Sequence, residues 1–468
     1  MVFSTTVFLF LFLPCVLIGY YNPFFKSRNF KNIFLFIVSI GFYAWGEPIY
    51  VLLMLCSIIA NWFFGVMIER AQNKNKNGRG KVLLIIAILY NMGFLFVFKY
   101  LMFVLTNIGL LLNRDIAMLN IALPIGISFY SFQALSYVID VYRGNGTVQK
   151  NPLNVGIYIA LFPQLIAGPI VRYKTIEKEI MNRKENFTDF SDGVNRFLKG
   201  LAKKVILANN LALVADMSFG MVSELSVVMA WLGAIAYTMQ IYFDFSGYSD
   251  MAIGLGRMFG FHFMENFNFP YLARSITDFW RRWHISLGSW FRDYVYIPLG
   301  GNRVKKGRWL FNLCVVWSVT GIWHGANWTF ILWGFLYFVI LMVEKLTNLE
   351  KKLGWFGHVY TLFFVIILWI VFRAENVGMA FSYIQVMFGI GASKVWDDSV
   401  SFCLLNYKAY LILGVLCCVP LSKVFNGLTV RYRKASDIIY VFSVVFIMFF
   451  TISYMVKSAY NPFIYFNF

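Results

Sequence analysis

Two of the four histidines lie in one stretch of the chain and are the residues best suited to chemistry. His284 occurs in FWRRWHISLGSWFRDY and His324 occurs in VTGIWHGANWTF. A neutral imidazole accepts a proton at physiological pH, so His324 is a candidate general base for a hydroxyl that attacks an acyl group. The alternative is a buried histidine that donates to a helix carbonyl. Gly321, Gly325 and Asn327 open the backbone beside this histidine and favour the catalytic interpretation.

The runs that flank His324, Trp309 to Trp323 and Trp328 to Val343, are almost free of charge. Basic residues precede the first run and follow the second, which predicts that both outer ends lie in the cytoplasm. The two runs should form a hairpin with His-Gly-Ala-Asn at its tip. A helix over the first run rises about 22 Å, less than a hydrocarbon core of about 30 Å. We therefore expect His324 inside the membrane, where an ionisable side chain is a functional candidate.

The segment around His284 is predicted to form a helix from Phe279 to Asp293 with two unlike faces. One face holds Trp280, Trp283, His284, Leu287, Trp290 and Phe291, and the other holds Arg281, Arg282, Ser289, Arg292 and Asp293. This pattern is typical of a helix at the membrane surface, with rings in the acyl boundary. Ser275 and Asp278 predict a cap at its start. His284 then lies on the buried side, either in the site or merely as an amphiphilic side chain.

The arginines on the polar face of this helix have two interpretations. Arg281, Arg282 and Arg292 can grip the phosphates of an anionic donor, because a guanidinium fork matches phosphate oxygens. They can also anchor the helix to lipid headgroups, which is the more economical interpretation.

A predicted span from Val227 to Phe243 runs directly into the polar sequence DFSGYSD. The candidate residues in this sequence are Asp244, Ser246, Tyr248 and Asp250. These side chains either line the site or cap a helix after a tight turn, and the sequence favours neither.

The composition indicates a polytopic membrane protein. The chain has 468 residues, of which 60% are hydrophobic, 20% aromatic and only 13% charged. The net charge of +19 lies in short loops between apolar runs, which is the positive-inside pattern and argues against nucleic-acid binding. Six cysteines without metal-ligand spacing indicate neither a disulfide framework nor a zinc site.

Hydropathy predicts an all-α protein with about eleven spans in one membrane domain over residues 1–468. The run Phe3 to Tyr20 is interpreted as a retained first span, because basic residues follow it rather than precede it. Leu153 to Val171 contains two prolines and is predicted to be a broken, re-entrant segment. Leu123 to Val141 is too polar for lipid and should face a cavity.

Long motifs resemble the membrane-bound O-acyltransferase family, and within it the branch of the alginate O-acetyltransferase membrane subunit. The matching sequences are LPIGISFYSFQALSYVIDVYRG from Leu123, FPQLIAGPIVR from Phe162, QIYFDFSGYSDMAIGLG from Gln240, NFNFPYLARSITDFWRRWHISLGSWFRDYVYIPLGGNR from Asn266, GIWHGANWTFILWG from Gly321 and the closing NPFIYFNF. The resemblance covers essentially the full chain, with a signature core over residues 123–345.

The resemblance implies a multi-helix fold with a passage through the bilayer. An acyl group would pass from a cytoplasmic thioester to an extracytoplasmic hydroxyl, with no bound cofactor and no metal. The essential histidine of the family matches His324, and its second conserved position matches His284. The other residues expected along the donor passage are Trp323, Asn327, Asp244, Ser246, Tyr248, Arg281 and Arg282.

The resemblance also implies partners. Related branches hand the acyl group to a separate extracytoplasmic transferase of the SGNH-hydrolase type or to a short helper peptide. Acetyl-CoA with a secreted, alginate-like exopolysaccharide is the leading donor and acceptor, and a cell-wall glycan is an equal acceptor. D-alanine from a carrier protein, transferred to teichoic acid, is the nearest alternative. The expected location is the bacterial cytoplasmic membrane, spanned several times, with no nucleic-acid partner.

The mechanism expected from these residues has the thioester dock at the basic cytoplasmic face near His284. His324 then acts as base for the hydroxyl of the acceptor or of a serine in a partner. Two other classes of function stay open. In a transporter or flippase the histidines would relay protons, and in a scaffold that recruits a secreted transferase both could be replaced without loss.

Overall fold

The computed structural model describes residues 2–24, 26–116, 119, 121–421, 432–457 and 460–464, and every regular element in these ranges is helical. In chain order the α-helices are α1 (Leu13–Tyr20), α2 (Arg28–Gly46), α3 (Tyr50–Asn73), α4 (Asn77–Leu95), α5 (Leu101–Leu112), α6 (Ile127–Tyr142), α7 (Pro152–Ala160), α8 (Phe162–Leu165), α9 (Tyr173–Asn182), α10 (Phe187–Ala202), α11 (Asn209–Gly220), α12 (Val227–Met258), α13 (Ile276–Arg282), α14 (Ile285–Phe291), α15 (Lys306–His324), α16 (Trp328–Thr347), α17 (Leu349–Lys352), α18 (Gly357–Arg373), α19 (Val377–Met387), α20 (Asp398–Cys417) and α21 (Arg433–Lys457). Short π-helical turns occupy Phe8–Phe12, Phe96–Tyr100, Lys203–Ala208 and Arg292–Tyr296, and 3₁₀ turns occupy Val222–Glu224, Pro270–Leu272 and Gly354–Phe356.

The predicted all-α polytopic class is confirmed. Among the described residues, seven helices are long and apolar enough to cross a membrane, with α4 and α5 counted as one continuous helix over Asn77–Leu112. The others are α3, α12, α16, α18, α20 and α21. The estimate of about eleven also included segments that are shorter or more polar. Examples are the 16-residue α6 and the short apolar helix over Phe8–Tyr20.

The chain divides into two compact units. Unit 1 is Met1–Phe197 with Ser249–Met264, and unit 2 is Leu198–Tyr248 with Glu265–Phe468. The single membrane domain expected from the sequence stays a prediction beside this division.

Within unit 1, the predicted broken segment is confirmed. Helix α7 ends at Ala160, α8 is a single turn, and residues 154–171 are all buried. Side chains satisfy the backbone freed by the break: Ser39 Oγ accepts from Phe162 N at 3.1 Å, and the Tyr158 hydroxyl donates to Val171 O at 2.8 Å. Gln164 Nε2 donates to Tyr158 O at 2.5 Å. Such backbone is tolerated away from water because protein groups replace the lost helical partners.

A carboxylate cluster ties the first helices of unit 1 to the loop after α9. Glu185 pairs with Arg28 at 2.6 Å and with Lys31 at 3.4 Å, and the hydroxyl of Tyr20 donates to it. Burial by itself raises the pKa of Glu185, but the hydrogen bonds from Arg28 and Tyr20 outweigh it and hold the pKa at about 2. The ionised carboxylate is therefore the form that the fold stabilises.

Helix α12 corrects one expectation. The sequence predicted a span that ends at Phe243, followed by a turn or cap in DFSGYSD. The helix instead continues to Met258 over 32 residues. A helix of this length rises about 48 Å, and the polar residues sit in its interior. Asp244 and Ser246 are each 1% exposed, so neighbouring protein, rather than a turn, accommodates them.

Replacing Glu185 by Gln should destabilise unit 1. Arg28 and Tyr20 would lose a charged acceptor in a nearly buried site, a loss of about 1–3 kcal/mol. The measurement is thermal unfolding in detergent as a function of pH. The pKa of Glu185 in the folded protein, about 2, lies below the ordinary 4.5. The extra stability of the wild type over the variant should therefore be fully present above pH 4.5 and be lost as the pH falls towards 2.

The control for this variant is Asp192→Asn. The Asp192 carboxylate is 55% exposed and lies 3.5 Å from Arg257, so its removal should change stability by less than about 1 kcal/mol. Equal losses from both variants would contradict the role assigned to Glu185.

Candidate active site

The predicted hairpin that carries His324 is confirmed. Helix α15 ends at His324, α16 begins at Trp328, and Asn327 caps α16 by accepting from Thr329 N at 3.1 Å. The opposite ends of the two helices also meet. Lys306 and Lys345 line one cleft of about 340 Å³, so the basic ends of the hairpin lie together, as the charge pattern predicted.

Two glycines allow the helices of the hairpin to touch backbone to backbone. A Cβ placed on Gly321 would lie 2.5 Å from Phe330 O, and one placed on Gly334 would lie 2.5 Å from Trp317 O. Real Cβ atoms do not approach an oxygen this closely, and neither partner is the end of a flexible side chain. The closeness of α15 and α16 beside His324 therefore requires glycine at both positions.

His324 is enclosed by aromatic rings and is 5% exposed. Its ring centroid lies 5.1 Å from that of Trp333, 5.1 Å from that of Phe372 and 5.0 Å from that of Trp323. All three pairs meet edge to face, the arrangement that aromatic rings prefer. An imidazole surrounded in this way is largely removed from water.

The continuous helix predicted over Phe279 to Asp293 is wrong, because the backbone breaks at His284. Helix α13 ends at Arg282, Trp283 is extended at φ −104° and ψ 129°, and His284 is left-handed at φ 46° and ψ 51°. A non-glycine residue in this region is uncommon and is stable only when its surroundings fix it. Helix α14 then starts at Ile285.

The predicted division of faces survives this break. Trp283, His284, Leu287 and Trp290 are buried, whereas Arg281 is exposed. The predicted cap is also present, since Ser275 Oγ accepts from Asp278 N at 3.0 Å. Burial follows the sequence pattern because both short helices still turn their aromatic residues towards protein.

A buried carboxylate of α16 holds the start of α13. Glu344, which is 1% exposed, accepts from Ile276 N at 2.6 Å and from Thr277 N at 3.0 Å. It also accepts from the Thr277 hydroxyl at 2.8 Å. These are backbone donors without partners inside the helix, and a negative charge at a helix N-terminus is favourable. The helix that leads to His284 is thereby attached to the hairpin that carries His324.

The two histidines share one aromatic neighbour. The Trp323 ring lies 5.0 Å from His324 and 6.0 Å from His284, and Phe245 of α12 lies 4.6 Å from His284. His284 is 1% exposed and lies outside the seven candidate spans. Burial lowers the pKa of His284 well below 6.5, and a charge on His324 lowers it further. Both imidazoles therefore belong to one environment that favours the neutral form of His284.

Asp244 is engaged by a residue that the sequence did not identify. Lys204 Nζ lies 2.6 Å from Asp244 Oδ1, and each side chain is 2% exposed. The C-terminal segment completes this cluster: Ile464 N donates to Asp244 Oδ2 at 2.8 Å, Lys204 donates to the carbonyl of Pro462, and Phe463 stacks 4.9 Å from Tyr248. Sequence analysis missed Lys204 because it lies in a stretch with several other basic residues.

The remaining residues expected in the passage are dispersed. Ser246 is buried, and its hydroxyl has no hydrogen-bond partner among the described residues. Asn327 is a helix cap whose Nδ2 donates to Glu375 O at 2.8 Å. Arg282 pairs with Asp278 at 3.0 Å, and Arg281 is exposed on the same helix. His284, Trp323 and His324 are thus brought together, whereas Asn327 bonds to Glu375 O and Arg282 pairs with Asp278. The roles of all of them stay predictions.

The arrangement is suited to proton transfer in a dry site. Two buried imidazoles lie around one indole, and general-base catalysis requires a neutral acceptor of this type. Within the described part of the chain, no group of three or more His, Cys, Asp and Glu side chains is placed to hold a metal ion.

Comparison with known proteins places the chain among acyltransferases. A model of the membrane-bound O-acyltransferase family matches residues 148–384. The "Probable alginate O-acetylase" of Pseudomonas putida is 40% identical, covering 93% of this chain and 89% of the relative. The "Peptidoglycan O-acetyltransferase" of Helicobacter pylori is 36% identical over 87% and 82%. The "Teichoic acid D-alanyltransferase" of Bacillus subtilis is 30% identical over 50% and 62%.

Replacing Gly321 by Ala should disturb the hairpin. The new methyl group would overlap the Phe330 carbonyl, at a cost of about 1–3 kcal/mol or more, and would displace His324 three residues later. Thermal unfolding of the purified protein measures the first effect. Gly307 lies in the same helix with open space around it, so Gly307→Ala should be neutral or slightly stabilising. Equal stability of the two variants would refute the close approach.

Replacing Asp244 by Leu should be strongly destabilising, because it leaves Lys204 buried without a counter-ion, at a cost of about 3–5 kcal/mol. Replacing both, as Lys204→Met with Asp244→Leu, should recover much of that loss. The readout is unfolding temperature and membrane yield. Glu350→Gln breaks a half-exposed pair with Lys345 at 3.4 Å and should cost less than about 1 kcal/mol. Additive losses in the double variant would exclude a coupled pair.

Proposed function

Because the chain belongs to the membrane-bound O-acyltransferase family, we propose that it moves an acetyl group from a cytoplasmic thioester across the membrane for O-acetylation of an extracytoplasmic polysaccharide. That it is a multi-pass membrane O-acyltransferase follows from the family and the helices. The observation that carries the finer proposal is the pair of buried histidines around Trp323. Their enclosure provides a base and excludes water from a thioester that water would hydrolyse.

His324 is the general base in this mechanism. It takes the proton from the attacking hydroxyl as the oxygen forms a bond to the thioester carbonyl carbon. The bond from carbon to sulfur then breaks, and the proton passes to the departing thiolate, so that an ester and a free thiol result. The hydroxyl belongs either to the acceptor or to a serine of a partner transferase. Holding the two reactants in line inside a dry cavity supplies much of the rate.

His284 and the neighbouring arginines serve the donor. Arg281 is exposed and Arg282 is half-buried on α13, the helix that leads directly into His284. Guanidinium groups bind phosphate oxygens in pairs, which suits the phosphates of acetyl-CoA. Trp323, Asp244, Ser246, Tyr248 and Asn327 are proposed to border the passage between the two histidines.

The acceptor is proposed to be a secreted or cell-wall polysaccharide. The chain itself is proposed to lie in the cytoplasmic membrane of a bacterium. The support comes from relatives named for alginate and for peptidoglycan, both of which match more than four-fifths of this chain. An extracytoplasmic transferase of the SGNH-hydrolase type or a short helper peptide would pass the acetyl group onwards.

D-alanyl transfer from a carrier protein to teichoic acid is the second candidate. It is favoured by the similarity to the Bacillus subtilis enzyme, which spans half of this chain. The acetyl reaction takes precedence because the relatives named for O-acetylation match nearly the whole chain at higher identity.

His324→Ala should lower acyl transfer by about 10²–10⁴-fold, the usual contribution of a general base. Purified protein in proteoliposomes receives radiolabelled acetyl-CoA on the cytoplasmic face, and thioester loss and label in envelope extract are measured. A His324→Ala protein that inserts normally and keeps full transfer would show that His324 is not the base.

The matched control is His262→Ala, since His262 is exposed and pairs with Glu179 at 3.1 Å. It should keep wild-type transfer. If acetyl-CoA is not consumed by the wild type, D-alanyl thioester on a carrier protein is the next donor. Flux that follows the proton gradient, with no covalent acyl product, would replace the acyltransferase proposal with transport.

A further inference from the structure

Asn266 lies directly beside His284 and is 1% exposed. Its side-chain oxygen Oδ1 is 3.2 Å from His284 Nδ1, 3.1 Å from Ser286 N and 2.9 Å from Ser286 Oγ. Its backbone carbonyl accepts from Ile285 N at 3.0 Å. One residue thus binds the backbone on the C-terminal side of His284 and the imidazole itself.

The orientation of the carboxamide follows from these partners. The backbone nitrogen of Ser286 can only donate, so the atom that it contacts must be the oxygen of Asn266 and not its nitrogen. An oxygen that accepts from His284 Nδ1 requires a proton on Nδ1. In the neutral imidazole the lone pair then lies on Nε2. Ser286 Oγ also lies 3.5 Å from His284 Nδ1, but its hydroxyl donates to Asn266 Oδ1 at 2.9 Å. Asn266 Oδ1 is therefore the acceptor that favours a proton on Nδ1.

Asn266 also stabilises the backbone conformation of His284. A left-handed histidine at φ 46° is a conformation of higher energy, about 1–3 kcal/mol above the common regions. The bonds from Asn266 to Ile285 N and Ser286 N fix the next two residues, while Asn268 N donates to Arg282 O at 2.9 Å just before the break. Residues 266 to 268 thus bond to the backbone on both sides of the strained residue and stabilise its conformation.

The amide nitrogen of Asn266 shows what this orientation of the carboxamide costs. Asn266 Nδ2 is buried and has no hydrogen-bond partner among the described residues. Burying such a donor unmet costs about 1–3 kcal/mol. The orientation that brings the oxygen to the imidazole and to Ser286 N thus leaves the amide nitrogen without a hydrogen bond among the described residues.

We propose that Asn266 is the positioning residue of the site, holding His284 as the Nδ1–H tautomer so that Nε2 faces the acyl-transfer reaction. The catalytic meaning of this assignment rests on the proposed function, but the tautomer itself does not. Asn266 acts through His284 and is not a base or nucleophile.

The tautomer can be measured without any activity. The chain has four histidines, so ¹⁵N-histidine labelling gives few imidazole signals, and His284→Ala identifies those of His284. In wild-type protein in proteoliposomes, the expected spectrum has a protonated Nδ1 and an unprotonated Nε2 for His284. Asn266→Asp keeps an acceptor oxygen and should keep the proton on Nδ1, whereas Asn266→Leu removes the acceptor at similar volume and should release the tautomer. A proton on Nε2 in the wild type, or an unchanged tautomer in Asn266→Leu, would overturn the proposal.

A double-mutant cycle separates positioning from general structure. Asn266→Leu should reduce acetyl transfer by about 10²-fold, as misplacement of a site group does. In a His284→Ala background the same change should cost less than about 2-fold, since its target is gone. Ser289→Ala, which removes a hydrogen bond to Ser286 O within the same helix and leaves the bond from Asn266 to His284 in place, is the control and should retain most activity. If the separate losses of acetyl transfer from Asn266→Leu and His284→Ala multiply in the double variant, Asn266 is merely structural. A wild type with the expected tautomer but no transfer would defeat the proposed function and leave the tautomer assignment intact.

Discussion

The contact between Glu344 and the first turn of α13 is the interaction on which the site depends. Glu344 sits near the end of α16, in the hairpin that presents His324, while α13 leads into His284. Three hydrogen bonds from Ile276 and Thr277 to Glu344 join the two elements. A carboxylate is the strongest acceptor for free backbone N–H groups at a helix N-terminus. These bonds add to the packing of Trp280 of α13 against Trp317, Trp333 and Tyr337 of the hairpin.

Buried polar side chains also replace the lost hydrogen bonds where the backbone leaves its helical path. At the end of α7 the lost helical bonds are replaced by Ser39, Tyr158 and Gln164. At His284 they are replaced by Asn266. Both breaks occur in buried surroundings, where an unmet N–H or C=O is expensive. Polar side chains therefore compensate the lost backbone hydrogen bonds at each break. A polar residue in an otherwise apolar stretch often has this role.

These features explain how far the sequence predicts the structure. Hydropathy and charge bias predicted the hairpin, its tip and its basic ends, and residue pattern predicted the buried face around His284, because both depend on neighbours within a few turns. The left-handed His284 and the full length of α12 were not predicted. The residue that supports the left-handed backbone is distant in sequence, since Asn266 is 18 residues from His284. Lys204 likewise removes the need for a turn at Asp244, and nothing local to Asp244 indicates this.

The charges of the two imidazoles limit what the site can do. Burial lowers the pKa of His284, and a positive charge on His324 lowers it further. The rings of Trp323, Trp333 and Phe372 lie around His324. States with one added proton are therefore favoured over states with two. In the proposed mechanism, the proton that His324 takes from the hydroxyl passes to the departing thiolate before the next proton is accepted. An enclosure that tolerates a single transient charge thus suits acyl transfer, in which the proton is taken and returned within one turnover.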